Sequence, residues 1–112
     1  MNRAEHIDVS AFVQNVAEKR NWKLNEDTEF LQMLIEGLQA NLNRLGYVQC
    51  PCRLSWDDRT RDADIICPCV YASEDIEAFG HCYCSLFFST SYDFSAEEPS
   101  SIPERRPEHL FP

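Results

Sequence analysis

The sequence predicts a mainly α fold, a small single domain in which helices support a set of cysteine-bearing loops. Three observations lead to this prediction. The chain has 112 residues, which is the length of one domain. Apolar residues recur at helical spacing in its first half. All six cysteines then fall between Cys50 and Cys84, where the helical spacing has broken.

The first predicted helix covers residues 8–20. Its apolar residues share the spacing of one helix face, which indicates an amphipathic helix. They are Val9, Phe12, Val13, Val16 and Ala17. Trp22 and Leu24 are expected to cross a short connection to the next helix.

The second predicted helix begins at Asn25, a residue type that is favoured as an N-cap, and ends at Gly46, where a C′ glycine stops helices. Acidic residues follow Asn25 and complement the positive end of the helix dipole. Gly37 lies mid-helix and indicates a close packing contact. The apolar stripe that faces the core consists of Phe30, Leu31, Leu34, Ile35, Leu38, Leu42 and Leu45.

Two short elements are predicted among the cysteines. Residues 73–80 form a helix with Ser73 as its cap, early acidic residues and Gly80 at its end. The apolar run Leu86-Phe87-Phe88 is a strand or a helix, and periodicity does not decide between them.

The composition changes near residue 92, so we predict a folded domain over residues 1–92 and a Pro-rich tail over residues 93–112. Such a segment is extended or disordered, because it has too few apolar residues to order itself. Its final Leu110-Phe111 could pin it to the domain.

The charge and the opening residues narrow the range of functions. A net charge of −9 argues against binding to nucleic acid, whose phosphates attract clustered Lys and Arg, and against an anionic membrane surface. Residues 1–6 contain no apolar stretch typical of a signal peptide, and no run of roughly 18 apolar residues could span a membrane. We therefore expect a cytoplasmic protein, in which clustered cysteines indicate metal or redox chemistry more often than structural disulfides.

The six cysteines form three C-x-C pairs. In an extended segment, residues i and i+2 point to the same side, so each pair presents two sulfurs about 7 Å apart. This distance is too wide for a bond within a pair, but it suits two sulfurs that reach one compact inorganic core. The pairs are Cys50-Pro51-Cys52, Cys67-Pro68-Cys69 and Cys82-Tyr83-Cys84.

Three interpretations of the pairs compete. Structural zinc prefers a C-x2–4-C spacing, which none of the pairs provides. A secreted scaffold of three disulfides needs a secretory context. An iron–sulfur cluster needs four thiolates and tolerates varied spacing, and four ligands plus two further cysteines account for all six. A non-enzymatic zinc-binding interaction module remains the alternative, since spacing alone shows only that six sulfurs can converge.

Three segments occur together in an order that is highly specific. They are Cys50-Pro51-Cys52-Arg53, Ile65-Ile66-Cys67-Pro68-Cys69 and Gly80-His81-Cys82-Tyr83-Cys84, preceded by Asn43-Arg44-Leu45-Gly46-Tyr47. On these segments, the chain from about Trp22 to Phe88 resembles the catalytic (beta) subunit of ferredoxin:thioredoxin reductase, in particular its bacterial and archaeal relatives. The Pro-rich tail lies outside this resemblance.

The resemblance implies roles for the six cysteines. It implies that the loops wrap around a 4Fe–4S cluster held by Cys50, Cys67, Cys69 and Cys82. It implies that the other two form a redox-active disulfide, in which Cys52 is the exposed thiol that attacks the partner and Cys84 lies against the cluster.

The function that follows is an iron–sulfur disulfide reductase. Single electrons would pass from a ferredoxin- or rubredoxin-like donor through the cluster to the Cys52–Cys84 disulfide, and on to the disulfide of a thioredoxin-like protein. Iron–sulfur centres deliver one electron at a time, whereas a disulfide takes two, so a cluster that binds Cys84 during the first step would avoid a free sulfur radical. The resemblance leaves open a second subunit.

Two neighbouring residues have alternative roles. The plant-type enzymes carry a histidine between the last two cysteines, where this chain has Tyr83, and His81 lies two residues earlier. His81 is the candidate proton donor to a leaving thiolate, and the alternative is a solvated loop histidine. Arg53 either stabilises the Cys52 thiolate or forms a surface salt bridge.

Overall fold

The computed structural model describes residues 8–112. It contains the helices α1 (Val9–Arg20), α2 (Thr28–Leu45) and α3 (Ala72–Phe79), the strands β1 (Trp22–Leu24) and β2 (Phe87–Ser89), and 3-10 turns at Ala63–Ile65 and Glu108–Leu110. The opening residues, where no signal-peptide pattern was found, lie outside the described part. Among residues 8–112, no helix combines the length and the apolar character needed to cross a membrane.

The first helix confirms the prediction from periodicity. Asp8 is its N-cap and accepts a hydrogen bond from the Ala11 backbone N–H at 3.2 Å. The helix ends at Asn21, which adopts a left-handed conformation with φ of 60°. Its buried residues are Val9, Val13 and Ala17, all members of the predicted apolar face.

The second helix confirms the predicted stripe and the Gly46 end, but its predicted N-cap is wrong. Asp27 is the N-cap and accepts from the Phe30 N–H at 3.2 Å. Asn25 is used differently, because its side chain accepts from the Asp27 N–H at 2.8 Å and donates to the Ser85 carbonyl at 2.9 Å. The helix therefore begins later than predicted, since Asn25 joins the chain to a distant loop.

A two-stranded antiparallel sheet replaces the predicted connection at Trp22–Leu24. Trp22 pairs with Ser89 and Leu24 with Phe87, so the ambiguous apolar run at residues 86–88 contributes to a strand. The two strands lie far apart in the sequence, and a three-residue strand has no periodicity of its own. Only the tertiary pairing identifies it.

The third helix begins at Ala72, with Tyr71 as an N-cap that makes no side-chain hydrogen bond, so the prediction of Ser73 as the cap is wrong. The Ser73 hydroxyl lies 3.5 Å from the Arg20 guanidinium at the end of α1 and accepts a hydrogen bond from it. The predicted end at Gly80 is confirmed, with φ of 87°.

The hydrophobic core lies between the helices and the sheet and extends into the cysteine loops. Its largest fully buried apolar side chains are Phe87, Phe88, Leu38, Leu42 and Ile65. Cys50, Cys82 and Cys84 belong to the same packed cluster. The cysteine site is therefore built directly on the core and inherits its rigidity.

The Pro-rich tail is extended and packs on the rest of the domain. Ile102 and Arg106 are buried, and the Trp56 indole donates to the Leu110 carbonyl at 2.7 Å. The anchor predicted at the end of the tail is thus present at Leu110, while the alternative of disorder does not describe this segment. Charged residues before Leu110 make further contacts to the domain.

We predict that alanine at Gly80 destabilises the protein more than alanine at Gly46. Both glycines have positive φ, at 87° and 86°, so each substitution costs about 1–2 kcal/mol of backbone strain. A Cβ at Gly80 would also lie 3.0 Å from the Tyr92 ring, whereas a Cβ at Gly46 would meet nothing within 4 Å. Overpacking adds about 1–3 kcal/mol at Gly80. Thermal unfolding of the two variants measures the difference, and equal shifts would contradict the packing role of Gly80.

A candidate cysteine redox site

The first two cysteine pairs are held side by side by backbone hydrogen bonds. The Cys50 N–H donates to the Ile65 carbonyl at 2.9 Å, and the Cys67 N–H donates to the Val48 carbonyl at 2.8 Å. These bonds flank an antiparallel bridge between Gln49 and Ile66. The Gln49–Ile66 bridge thus places Cys50 beside Cys67. The extended geometry expected of the C-x-C pairs is wrong for the first and third pairs, because Pro51-Cys52 and Tyr83-Cys84 lie in turns.

The third pair is held by β2. The Cys82 N–H donates to the Phe87 carbonyl at 2.9 Å, and the Ser85 N–H donates back to the Cys82 carbonyl at 2.9 Å. Ser85 adopts a positive φ of 61°, which closes this tight turn. Cys84 lies within the turn and is buried.

Helix α2 approaches the first pair at Gly37, as the mid-helix glycine indicated. A Cβ at this position would lie 3.1 Å from the Pro51 Cβ. The close approach brings Leu34 and Leu38, on the buried face of α2, to the wall of the site. The prediction of a close packing contact at Gly37 is confirmed.

Five of the six cysteines line one cavity, whose other walls are mainly apolar side chains such as Leu38 and Phe87. These cysteines are Cys50, Cys67, Cys69, Cys82 and Cys84. Cys52 is exposed and lines a neighbouring groove of about 210 Å³ that opens to the surface. The structure thus brings together the four candidate ligands with Cys84, and it leaves Cys52 accessible.

The thiols of Cys50, Cys52 and Cys84 lie close enough to shift one another's pKa. Hydrogen bonds from Cys50 and Cys84 hold the pKa of Cys52 below its usual value. The same contacts, with burial, raise the pKa of Cys84 well above its usual value. Cys52 is therefore the thiol of the group that ionises most readily, and the thiolate is the nucleophilic form.

The remaining cysteines sit where a bare thiolate is unfavourable. Burial raises the pKa of Cys67 well above its usual value and raises the pKa of Cys82 to about 11. Burial also raises the pKa of Cys69, although the nearby Arg53 opposes this. Several thiolates in one apolar cavity require a cationic core to compensate their charge.

The sulfurs also receive hydrogen bonds of the kind found around metal–thiolate centres. The Phe87 N–H donates to the Cys82 Sγ at 3.4 Å, and the Arg53 Nη1 donates to the Cys69 Sγ at 3.2 Å. Within residues 8–112, no three His, Cys, Asp or Glu side chains meet closely enough to hold a single metal ion. Four sulfurs around one cavity, with N–H donors to two of them, are a donor set that fits an iron–sulfur cluster.

Arg53 is buried, so the alternative prediction of a surface salt bridge is wrong. Its side chain is only 2% exposed, and it forms an ion pair with Glu104 of the tail at 2.8 Å. Its guanidinium lies over the rings of Tyr83, at 4.3 Å, and Tyr71, at 5.2 Å. Tyr83, the residue in place of the plant-type histidine, therefore packs against a cation. Arg53 makes a minor contribution to the low pKa of Cys52.

His81 is fully buried, so the prediction of a solvated histidine is wrong. Its Nδ1 lies 2.8 Å from the Cys82 carbonyl, and its Nε2 accepts from the Ser100 N–H at 3.2 Å. The ring packs against Phe88 at 5.3 Å. To deliver a proton His81 must break one of these hydrogen bonds, and its role as proton donor stays a prediction.

Two tail residues next to the site were missed by the sequence interpretation. Glu104 binds Arg53, and Arg106 pairs with Asp64 at 2.9 Å. The sequence feature that could have indicated Arg106 was the doublet Arg105-Arg106. In a strongly acidic chain, the few arginines form ion pairs with carboxylates.

The fold and the site together define a small cysteine-rich redox protein, in which one exposed cysteine lies beside a cavity lined by five more. A sequence model of the family described as ferredoxin thioredoxin reductase catalytic beta chain matches residues 2–106. The chain therefore belongs to this family, as its cysteine motifs predicted, and it is an oxidoreductase. The match includes Glu104 and Arg106, beyond the segment that carried the resemblance.

A curated relative supports the same assignment. The ferredoxin-thioredoxin reductase catalytic chain of Guillardia theta is 28% identical over 92 residues, which cover 80% of this chain and 85% of that protein.

Proposed function

We propose that this chain is an iron–sulfur disulfide reductase that takes electrons from a ferredoxin- or rubredoxin-like donor and reduces a thioredoxin-like protein in the cytoplasm. The observation that carries the proposal is the division of the cysteines: one is exposed, and five line an apolar cavity beside it. The family description, which names both ferredoxin and thioredoxin, supports the choice of partners. Its designation as a beta chain supports a second subunit.

The residues that would hold the 4Fe–4S cluster are Cys50, Cys67, Cys69 and Cys82. When bound, the cluster supplies single electrons for the reduction of a disulfide. The N–H donors at Cys82 and Cys69 stabilise negative charge on these sulfurs.

Cys52 and Cys84 would carry out the exchange with the partner. The Cys52 thiolate attacks the partner's disulfide, forms an S–S bond to one sulfur and releases the other as a thiolate. Cys84 then attacks the Cys52 sulfur of the mixed disulfide, so that a Cys52–Cys84 disulfide forms and the partner leaves as a dithiol. Cys52 and Cys84 shift each other's pKa, so the two side chains are neighbours, which supports this second attack.

The experiment that tests this division compares Cys84→Ser with Cys52→Ser. We expect both variants to keep their iron, because neither residue is among the four candidate ligands, and to lose disulfide reductase turnover with a thioredoxin-like acceptor. Anaerobic assays together with iron and labile-sulfide analysis provide the measurement. Turnover by Cys84→Ser at the wild-type rate with the cluster bound would refute the proposed exchange.

Metal analysis of the anaerobically purified wild-type protein tests the cofactor. We expect a brown protein with iron and labile sulfide in roughly equal amounts. A colourless protein that contains zinc, and in which no cysteine pair is reducible, would instead establish the zinc-binding module.

A further inference from the structure

We propose that Glu104 in the C-terminal tail is a positioning residue, which holds the Arg53 guanidinium against the Cys69 sulfur and so raises the reduction potential of the site. The inference rests on the proposed function, because it concerns the cluster that Cys69 would help to hold. It assigns to the tail a part in the redox chemistry.

The contact between Glu104 and Arg53 is bidentate. The Arg53 Nε donates to the Glu104 Oε2 at 2.9 Å, and Nη2 donates to Oε1 at 2.8 Å. Such a fork fixes the plane of the guanidinium as well as its position. The Arg53 side chain is 2% exposed and that of Glu104 23% exposed, so water competes weakly for these bonds.

The third nitrogen of the guanidinium faces the cysteines. Nη1 lies 3.2 Å from the Cys69 Sγ and 4.0 Å from the Cys50 Sγ. The guanidinium is planar and rigid, so anchoring Nε and Nη2 on the carboxylate determines where Nη1 points. Glu104 thus reaches the sulfurs through Arg53.

Two aromatic rings flank the guanidinium and limit its other movements. The Arg53 Cζ lies 4.3 Å from the Tyr83 ring centre and 5.2 Å from that of Tyr71. The Tyr71 hydroxyl donates to Asp64 at 2.8 Å, which keeps that ring in place. The rings restrict tilting, but rotation within the guanidinium plane is restrained by Glu104.

Glu104 is itself fixed by the tail. Its Oε1 accepts from the Arg106 backbone N–H at 3.0 Å. The Arg106 side chain is buried and donates through Nε to Asp64 at 2.9 Å. The docked tail therefore presents the carboxylate in one position.

The expected effect on the redox site has a definite sign. An N–H donor and a positive charge at a thiolate ligand favour the more negative, reduced state, so they raise the reduction potential. Without Glu104 the guanidinium can turn Nη1 away from Cys69, which lowers the potential. If Glu104 acted only through its own negative charge across space, removing that charge would raise the reduction potential. The positioning role and a purely electrostatic role of Glu104 therefore predict shifts of opposite sign.

The test compares Glu104→Gln, Arg53→Gln and the double variant with the matched control Glu108→Gln. Glu108 lies in the same tail, is exposed, and makes no side-chain hydrogen bond or ion pair within residues 8–112. The midpoint potential of the holoprotein is measured by anaerobic titration followed by visible absorption. We expect Glu104→Gln and Arg53→Gln each to disfavour reduction about tenfold, which is about 59 mV for one electron. In the Arg53→Gln background, Glu104→Gln should cause no further negative shift, and Glu108→Gln should cause no shift in the wild-type background.

Outcomes that overturn the inference differ from those that overturn the proposed function. The positioning role is overturned if Glu104→Gln raises the midpoint potential or leaves it unchanged. It is also overturned if Glu104→Gln lowers the potential by the same amount when Arg53 has already been replaced by Gln. A wild-type protein without iron and labile sulfide overturns the proposed function itself. If Glu104→Gln does not retain the cluster, Glu104→Asp carries the same test, with a smaller negative shift that is absent in the Arg53→Gln background.

Discussion

Serine in place of Cys82 is expected to lower the affinity for the cluster by about a hundredfold or more, so that the purified protein contains little iron. Changes to residues around metal ligands already cost about 10–100-fold in affinity, and loss of a ligand costs at least as much. A serine oxygen is a harder donor than a thiolate and suits iron–sulfur centres poorly. Cys82 is 6% exposed, and its Sγ accepts a hydrogen bond from the Phe87 N–H.

The matched control for Cys82→Ser is Cys52→Ser, which makes the same chemical change at the one cysteine outside the cavity. Anaerobic purification followed by iron and labile-sulfide analysis and a visible spectrum gives the measurement. Full iron content in Cys82→Ser, or its loss in Cys52→Ser, would show that the proposed ligand set is wrong.

Alanine at Arg106 is expected to destabilise the protein by about 3–5 kcal/mol, the cost of breaking a buried ion pair from one side. The Arg106 guanidinium donates to Asp64 at 2.9 Å and to the backbone carbonyls of Leu54 and Arg61 at 3.3 and 3.2 Å. It also lies 3.9 Å from Asp62, which is fully buried. Alanine would leave these acceptors without their cation and release the tail.

The buried carboxylate of Asp62 is charged in the folded protein. Burial raises its pKa, but hydrogen bonds from Ser55, the Trp56 N–H and Tyr47, together with the Arg106 charge, lower the pKa by more, so the net pKa lies below the usual value. Asp62 is therefore ionised at neutral pH in the folded protein. An unpaired buried charge is the reason for the large effect expected at Arg106.

The control for Arg106→Ala is Arg44→Ala, which removes an exposed ion pair. Arg44 and Asp57 approach to 2.9 Å, but their side chains are 54% and 62% exposed. Such pairs contribute at most about 1 kcal/mol. Thermal unfolding of both holoprotein variants under identical anaerobic conditions provides the comparison, and similar shifts would contradict a structural role for the docked tail.

The sequence by itself determined the features whose causes are local. The periodicity of α1 and α2, the glycine ends at Gly46 and Gly80 and the three C-x-C pairs can each be recognised within a few residues, because helix propensity and capping act over one or two turns. The order of the cysteine motifs was also sufficient to predict the family.

Tertiary structure decided the features that depend on distant partners. Strand β1 forms because Trp22–Leu24 pairs with Phe87–Ser89. Asn25 is not the N-cap of α2, because its side chain donates a hydrogen bond to the Ser85 carbonyl. No local pattern distinguishes these residues from loop residues, since a strand of three residues takes its hydrogen bonds from its neighbour.

The same reason applies at the redox site. The sequence around Arg53 is typical of a surface residue. In the structure, Arg53 is buried and forms an ion pair with Glu104 of the tail. His81 is buried because its ring packs against Phe88 and Tyr92, and the Ser100 N–H of the tail donates to its Nε2. The sequence therefore determined which cysteines are present and how they are spaced. Only the tertiary structure decided which charges and hydrogen-bond donors surround them, because these come from segments distant in the sequence, such as β2 for Cys82 and the tail residue Glu104 for Arg53.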